Sequence, residues 1–209
     1  MSTTTARSSE PKAAASKRPA GERAKLPTAR ERLLDAADEL FYTEGIHIVG
    51  IDRVIEKAGV AKASLYSTFG SKDELVRAYL NRRYEQRRTR ITEWVARYDD
   101  PRAKLLGVFD ALGESIARPG YHGCAFANAT AESSPGSVAE QVTQEYRAWT
   151  RALFTDLARD AGAADPATLG AQFHLLYDGV NWAARIDRDL EAAGRARAAA
   201  ATLLDAAVG

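Results

Sequence analysis

Between Ile51 and Leu80 the apolar positions recur at helical spacing, break, and then recur again. Ile51, Val54, Ile55 and Ala58 form one stripe, with Asp52, Arg53, Glu56 and Lys57 between them, the pattern of a short amphipathic helix. Gly59 follows where a left-handed residue ends a helix at least steric cost. Val60 is placed to plug the turn, and a second helix is predicted over Lys62–Phe69 with Leu65 and Phe69 as anchors four residues apart. Its other face carries Lys62, Ala63, Ser64, Tyr66, Ser67 and Thr68. Small, hydroxyl-bearing and aromatic groups suit a helix laid in a major groove, where bulky apolar residues are excluded and hydroxyls reach base edges or phosphates. After Gly70, Ser71-Lys72-Asp73-Glu74 has capping-box spacing and puts Lys72 at a helix N-terminus, where amides and dipole favour a phosphate. The pattern reads as a helix-turn-helix that opens into a longer helix.

Helical patterning extends in both directions, with no convincing period-2 strand. Thr28-Ala29-Arg30-Glu31 is another capping box, and Leu33, Leu34, Ala37, Leu40 and Phe41 make the stripe of a first helix that Gly45 ends. The helix opened by Ser71 should run over 72–97, a fifth over 101–118, and a short sixth within the stretch CAFANATAES. Ser137-Val138-Ala139-Glu140 opens a seventh that continues to 161. Asp165-Pro166 caps an eighth reaching about 186, and a ninth covers 190–207. The prediction is an all-α chain: a basic arm over 1–27, a three-helix DNA-binding domain over 28–71 and a six-helix domain over 72–209.

Composition narrows the function classes. No apolar run approaches the ~20 residues of a membrane span, no apolar leader segment opens the chain, and the single cysteine, Cys124, fits a reducing compartment. A cytoplasmic location is expected. Net charge is only +1, but residues 1–90 carry 18 Lys and Arg against 12 Asp and Glu, whereas 91–209 carry 11 against 16. The basic half holds the motif. Residues 1–27 are rich in Ala, Ser, Thr, Pro, Lys and Arg and lack Val, Ile, Phe and Trp, which predicts a disordered arm. Its Arg7, Lys12, Lys17, Arg18, Arg23 and Lys25 either follow a DNA backbone or simply aid solubility.

The stretch from about Ala29 to Leu80, with AGVAKASLYSTFGSKDEL at its centre, resembles the DNA-binding domain of TetR-type transcriptional regulators. The resemblance implies that Lys62, Ala63, Ser64, Tyr66, Ser67, Thr68 and Lys72 line double-stranded DNA, with Tyr66 and Lys72 mainly on phosphates. Where the family starts its two motif helices at Thr or Ser, this chain has Gly50 and Ala61; an Ala in place of a Ser cap gives up roughly 1 kcal/mol and a possible phosphate contact. Further on, Gly123, Cys124, Phe126, Asn128 and Glu132, and later Tyr177-Asp178-Gly179, resemble one large subgroup of the family. By that resemblance the six-helix domain binds a small effector and forms a homodimer through its eighth and ninth helices.

An effector pocket would lie among helices four to eight. Its candidate walls are Trp94, Phe109, Leu112, Ile116, Phe126, Trp149, Phe154, Phe173, Tyr177 and Trp182, with Asn128, His174 and Asp178 to orient a ligand. The same aromatics at helical spacing also read as plain core. Apolar walls favour an apolar or aromatic effector. His47, His122 and His174 are scattered, and neither HExxH nor paired CxxC spacing occurs, so no metal and no cofactor is expected. Cys124 reads as a structural residue at a helix start rather than a thiol sensor. Arg82, Arg83, Arg87, Arg88 and Arg90 read as a solvated helix face. The leading expectation is a ligand-responsive, non-enzymatic repressor that releases a palindromic operator. A helical carrier or enzyme with a vestigial helix-turn-helix, and an architectural DNA-binding protein without an effector, remain open.

Overall fold

The computed structural model describes residues 26–208, so the expected N-terminal arm and its six cations lie outside the described residues apart from Leu26 and Pro27. Among the described residues the chain is all-α: α1 Ala29–Glu44, α2 Ile51–Ala58, α3 Lys62–Phe69, α4 Lys72–Val95, α5 Pro101–Ile116, α6 Ala125–Ala131, α7 Val138–Asp160, α8 Pro166–Trp182 and α9 Ala192–Val208. A π turn over Ala183–Asp187 prolongs α8. It closes at Arg188, which has the left-handed dihedrals φ 56° and ψ 32°. The expected eighth helix therefore has the predicted length, but its last turn is wound more loosely than an α-helix.

Local chemistry explains most helix starts. Thr28 Oγ1 accepts from the Glu31 N–H at 3.2 Å, and the Glu31 carboxylate accepts from the Thr28 N–H at 2.7 Å, the full reciprocal box. Ser71 and Ser137 cap α4 and α7 by accepting from Glu74 and Glu140 N–H. The Glu140 carboxylate accepts from the Gly136 N–H, one residue before the box position. Asp100 and Asp165 cap α5 and α8, each followed by a proline that suits a first helical turn.

Two apolar clusters organise the molecule. The first joins α1, α2, α3 and the first half of α4, and continues into α6 and the start of α7 through Phe126, Ala129, Val142 and Tyr146. The second gathers α5, α8, α9 and the rest of α7 around Phe109, Phe154, Phe173 and Tyr177. Helix α4 belongs to both, through Leu75, Val76, Tyr79 and Leu80 at one end and Ile91 at the other. At 24 residues it is a rod about 36 Å long. Helices α7 and α8 pack closely because residue 170 is glycine: a Cβ there would stand 2.6 Å from Thr155 Oγ1 and 2.8 Å from its backbone nitrogen. Facing away from this core, α8 and the π turn expose Leu175, Trp182 and Ile186, with Gly179 between them and Leu190 beyond.

Candidate nucleic-acid interface

Helix α3 is fixed by one fully buried side chain, Leu65, at 0% exposure. Cutting such a leucine to alanine costs about 2–5 kcal/mol. Val54 and Ala58 of α2 meet the same core, while Val60 and Phe69 pack against its edge. Gly59 adopts φ 61° and ψ 43° and reverses the chain between the two helices. Arg32 on α1 donates from Nη1 to the Gly59 carbonyl at 3.2 Å and pins the turn from outside.

That anchoring leaves Lys62, Ala63, Tyr66 and Ser67 exposed, with Ser64, Thr68 and Lys72 half-buried. Ser67 Oγ donates to the Ser64 carbonyl at 3.2 Å. Thr68 lies with Arg30 and Phe69 in a groove beside α4, where the Arg30 guanidinium stands 5.6 Å from the Phe69 ring centre. Lys72 lines a depression of about 170 Å³ with His47, Asp73 and Glu132. Lys62 is held by Asp52 at 2.8 Å, and this hydrogen bond raises its pKa above the ordinary lysine value. Sequence reasoning missed that restraint: Asp52 is ten residues away, and only the α2–α3 crossing brings it alongside.

The helix starts within the motif differ from those around it. Gly50 and Ala61 give α2 and α3 no side-chain cap, whereas α1, α4, α5, α7 and α8 are capped. The first-turn amides of both motif helices are thus left without a side-chain acceptor, and an anion at either end would complement amides and dipole together. The short α6 also lacks a side-chain cap, at Cys124.

Three ties connect this end of the molecule to the larger domain. Tyr42 of α1 donates its hydroxyl to the Gly123 carbonyl at 2.9 Å and accepts from the His122 N–H at 3.0 Å. Glu132, at the far end of α6, accepts from the His47 N–H at 2.8 Å. Arg83 of α4 pairs with Asp38 of α1 through both oxygens, at 2.7 and 2.8 Å, and lies 3.8 Å from the Tyr42 ring centre. Both ends of α6 are therefore joined to α1 and the loop that leads into α2.

The arginine-rich stretch of α4 departs from the solvated face expected of it. Arg82 reaches Asp35, Arg83 reaches Asp38, and Arg90 donates to Ser115 Oγ at 2.9 Å. Arg87 turns into the interior, donating from Nη1 to the Tyr146 hydroxyl at 2.9 Å. Only Arg88, beside Glu85, lies on the exposed face. The signal was in the spacing: positions 76, 80, 83, 87, 91 and 94 continue one helical stripe, so Arg83 and Arg87 occupy inward positions.

The effector candidates fall in several places. Phe109, Leu112, Ile116, Phe154, Phe173 and Tyr177 are buried together, with ring centres 5.8–6.4 Å apart. Phe126 stacks on Tyr146 at 4.0 Å, and Trp149 lies between the two clusters against Tyr84. Trp94 lines an open groove of about 480 Å³ between α4 and α5, its Nε1 donating to Glu114 at 2.7 Å. Asn128 donates to the His122 carbonyl at 2.9 Å, and Trp182 is exposed. His174 is buried with Nε2 unpartnered, 3.8 Å from an Asp178 oxygen that Arg147 holds at 2.8 Å. Burial lowers the His174 pKa against the opposing pull of Asp178. Among the described residues no group of His, Cys, Asp and Glu is placed to hold a metal ion, and no helix is long and apolar enough to cross a membrane.

Comparison with known proteins agrees with the geometry. Residues 33–79 match the family model for bacterial regulatory proteins of the tetR family, and 101–200 match the tetracyclin repressor-like C-terminal domain. The chain is 33% identical to the HTH-type transcriptional activator FasR of Mycolicibacterium smegmatis over 153 residues, which is 70% of this chain and 68% of FasR. It is 34% identical to the HTH-type transcriptional regulator LmrA of Bacillus subtilis over 74 residues, 35% of this chain and 39% of LmrA. The fold superposes on the crystal structure of SCO4454, a TetR-family regulator from Streptomyces coelicolor, with a TM-score of 0.82 and 32% identity over 87% of this chain and 96% of that one.

Proposed function

The chain belongs to the TetR family of bacterial transcriptional regulators, with a DNA-binding helix-turn-helix, and from that premise we propose that it is a homodimeric, ligand-responsive repressor of a palindromic operator. The observation that carries this reading is the join between α3 and α4. The exposed face of α3, Lys62 to Thr68, ends at the N-terminus of a rod whose other end lies in the second core. Lys62, Ala63, Ser64, Ser67 and Thr68 would enter the major groove, with Tyr66, Lys72 and the uncapped ends of α2 and α3 on phosphates. Approach of a phosphate would draw Lys62 away from Asp52.

One copy of α3 reads few base pairs, and a two-fold dimer supplies the second half-site about 34–36 Å away. The outward row Leu175, Gly179, Trp182 and Ile186, with Leu190 and the small residues Gly194, Ala198 and Ala199 of α9, supports pairing of α8 and α9 with their copies. An effector bound in the larger domain would change operator affinity only through a difference in its affinity for two dimer geometries. A tenfold loss of operator binding needs about 1.4 kcal/mol of such coupling. The ties from α4 and α6 to α1 are the route by which that difference reaches α3. FasR is described as an activator, and the same docking serves either sign of control.

Selection of bound sequences from a random DNA pool tests the proposal. A palindromic winner bound by a dimer about 10³-fold or more over a scrambled control is expected. Equal, weak binding to all sequences would overturn it.

A further inference from the structure

Arg87 is a half-buried cation on the inward stripe of α4. Its Nη1 donates to the Tyr146 hydroxyl at 2.9 Å and lies 3.8 Å from Cys124 Sγ. The rings of Phe126 and Tyr146 flank its guanidinium at 5.9 and 5.5 Å. Among the described residues no carboxylate pairs with it, and its Nε and Nη2 make no hydrogen bond to the protein. The phenols around it supply no counter-charge, because burial pushes Tyr146 and Tyr177 above their ordinary pKa values. Arginine stays charged in any protein environment, so a half-buried guanidinium that the protein gives no anion is a ready partner for one brought by a ligand. The neighbouring arginines contrast with it: Arg82 and Arg83 each have a carboxylate, and Arg88 lies beside Glu85.

Cys124, one wall of the Arg87 site, is also a wall of a small opening between α6, the end of α8 and the π turn. Ala127, Asn128, Asn181, Trp182 and Arg185 complete that opening, which holds about 20 Å³, room for a single water. Asn181 is tied further in, accepting from the Tyr121 hydroxyl at 3.1 Å and donating to the Tyr177 carbonyl at 2.8 Å. The opening thus has the Trp182 indole, the Asn128 carboxamide and the Arg185 guanidinium in its wall, and Arg87 stands on the other side of Cys124, which the two share.

We propose that Arg87 is the anchor for the carboxylate of an organic-acid effector whose compact apolar body lies in the opening between α6 and α8, against Trp182. The fork of Arg87 matches a carboxylate in two parallel hydrogen bonds, and the ligand supplies the charge that the protein withholds. Since the opening holds only a water without ligand, the acid must part α6 from α8 to enter. The segments at both ends of α6 are tied to α1 and the loop that follows it, by Tyr42 to residues 122 and 123 and by Glu132 to His47. Filling the site therefore acts on the DNA-binding end directly. This inference rests on the ligand-responsive reading and assigns that reading a chemical class.

The test uses the full chain with two acids, phenylacetate and octanoate, and their uncharged matches phenylacetamide and octanamide, at constant ionic strength. Thermal shift and calorimetric titration read binding, and operator affinity is followed in parallel. A saturable stabilisation by at least one acid, absent for its amide and weakened about tenfold or more in Arg87→Met, is expected, with Arg90→Met retaining it. Acids and amides binding alike, no acid binding, or acid affinity unchanged in Arg87→Met would overturn the proposal. If Arg87→Met does not fold, the preference of the natural chain for acid over amide decides alone. Acid binding without any change in operator affinity would keep the site and remove the ligand-responsive reading. Operator release by the amides as readily as by the acids would keep that reading and remove the site.

Discussion

Tyr42→Phe removes one oxygen atom and tests whether the two ends of the molecule are coupled as described. The hydroxyl donates to the Gly123 carbonyl and accepts from the His122 N–H, so the substitution deletes two hydrogen bonds while the ring keeps its place under Arg83 and against His122. Each bond contributes about 0.5–1.5 kcal/mol, and a partner left dry adds to the loss. Gly123 is buried and His122 half-buried, which puts the expected destabilisation at roughly 1–3 kcal/mol. For a folded region of this size about 2–4 °C is lost per kcal/mol, so the midpoint should fall by roughly 2–12 °C in thermal denaturation followed by circular dichroism. Tyr98→Phe is the control, since its hydroxyl lies 3.5 Å from Asp110, at the limit of hydrogen bonding, and a much smaller shift is expected. Tyr42→Phe melting together with the natural chain would refute the coupling argument.

His174 gives a pH prediction. Its folded pKa lies below the ordinary value of 6.5 because burial disfavours the charged ring, with Asp178 pulling up and Arg147 and Arg151 pushing down. Stability is then complete well above pH 6.5 and falls as pH drops below it toward the folded pKa, by up to about 1.4 kcal/mol per unit; denaturant melts of His174→Gln should lack that component below pH 6.5. Asp52→Ala frees Lys62 and removes a carboxylate from the DNA-facing side, and should tighten DNA binding roughly two- to fivefold in low salt; weaker binding in fluorescence anisotropy would contradict the docking. Leu175→Glu places a charge in each copy of the outward face of α8, so sedimentation equilibrium should show a monomer with an unchanged circular dichroism spectrum. A stable dimer would move the interface elsewhere.

The helices were legible in the sequence because their starts are chemical. Thr28, Ser71, Asp100, Ser137 and Asp165 cap the helices that follow them, and Gly59 adopts the left-handed turn that its position between two stripes predicted. The exposed face of α3 was legible for the same reason, since Leu65 fixes which side turns inward. Long-range partners were not legible. Nothing near Lys62 in the chain names Asp52, and nothing near Arg83 names Asp38, 45 residues away. The arginines on α4 defy the expectation of a solvated face because charge alone does not mark a solvent-facing stripe: the stripe begun by Val76 and Leu80 passes through Arg83 and Arg87. The aromatics proposed for a pocket followed helical spacing correctly inward, but spacing alone does not separate a ring packed on other rings, such as Phe173, from one beside an opening, such as Trp182.

The central claim is that α3 reads DNA while the start of α4 holds the backbone. Its most direct test is the affinity of the natural chain, Ser64→Ala, Tyr66→Ala and Lys72→Ala for the selected operator and a scrambled duplex across a range of salt concentrations. Tyr66→Ala and Lys72→Ala should weaken both duplexes in proportion, with Lys72→Ala flattening the salt slope by about 0.9 for each phosphate that the lysine no longer neutralises. Ser64→Ala should weaken the operator alone. Operator affinity and salt slope unchanged in all three variants would contradict the account.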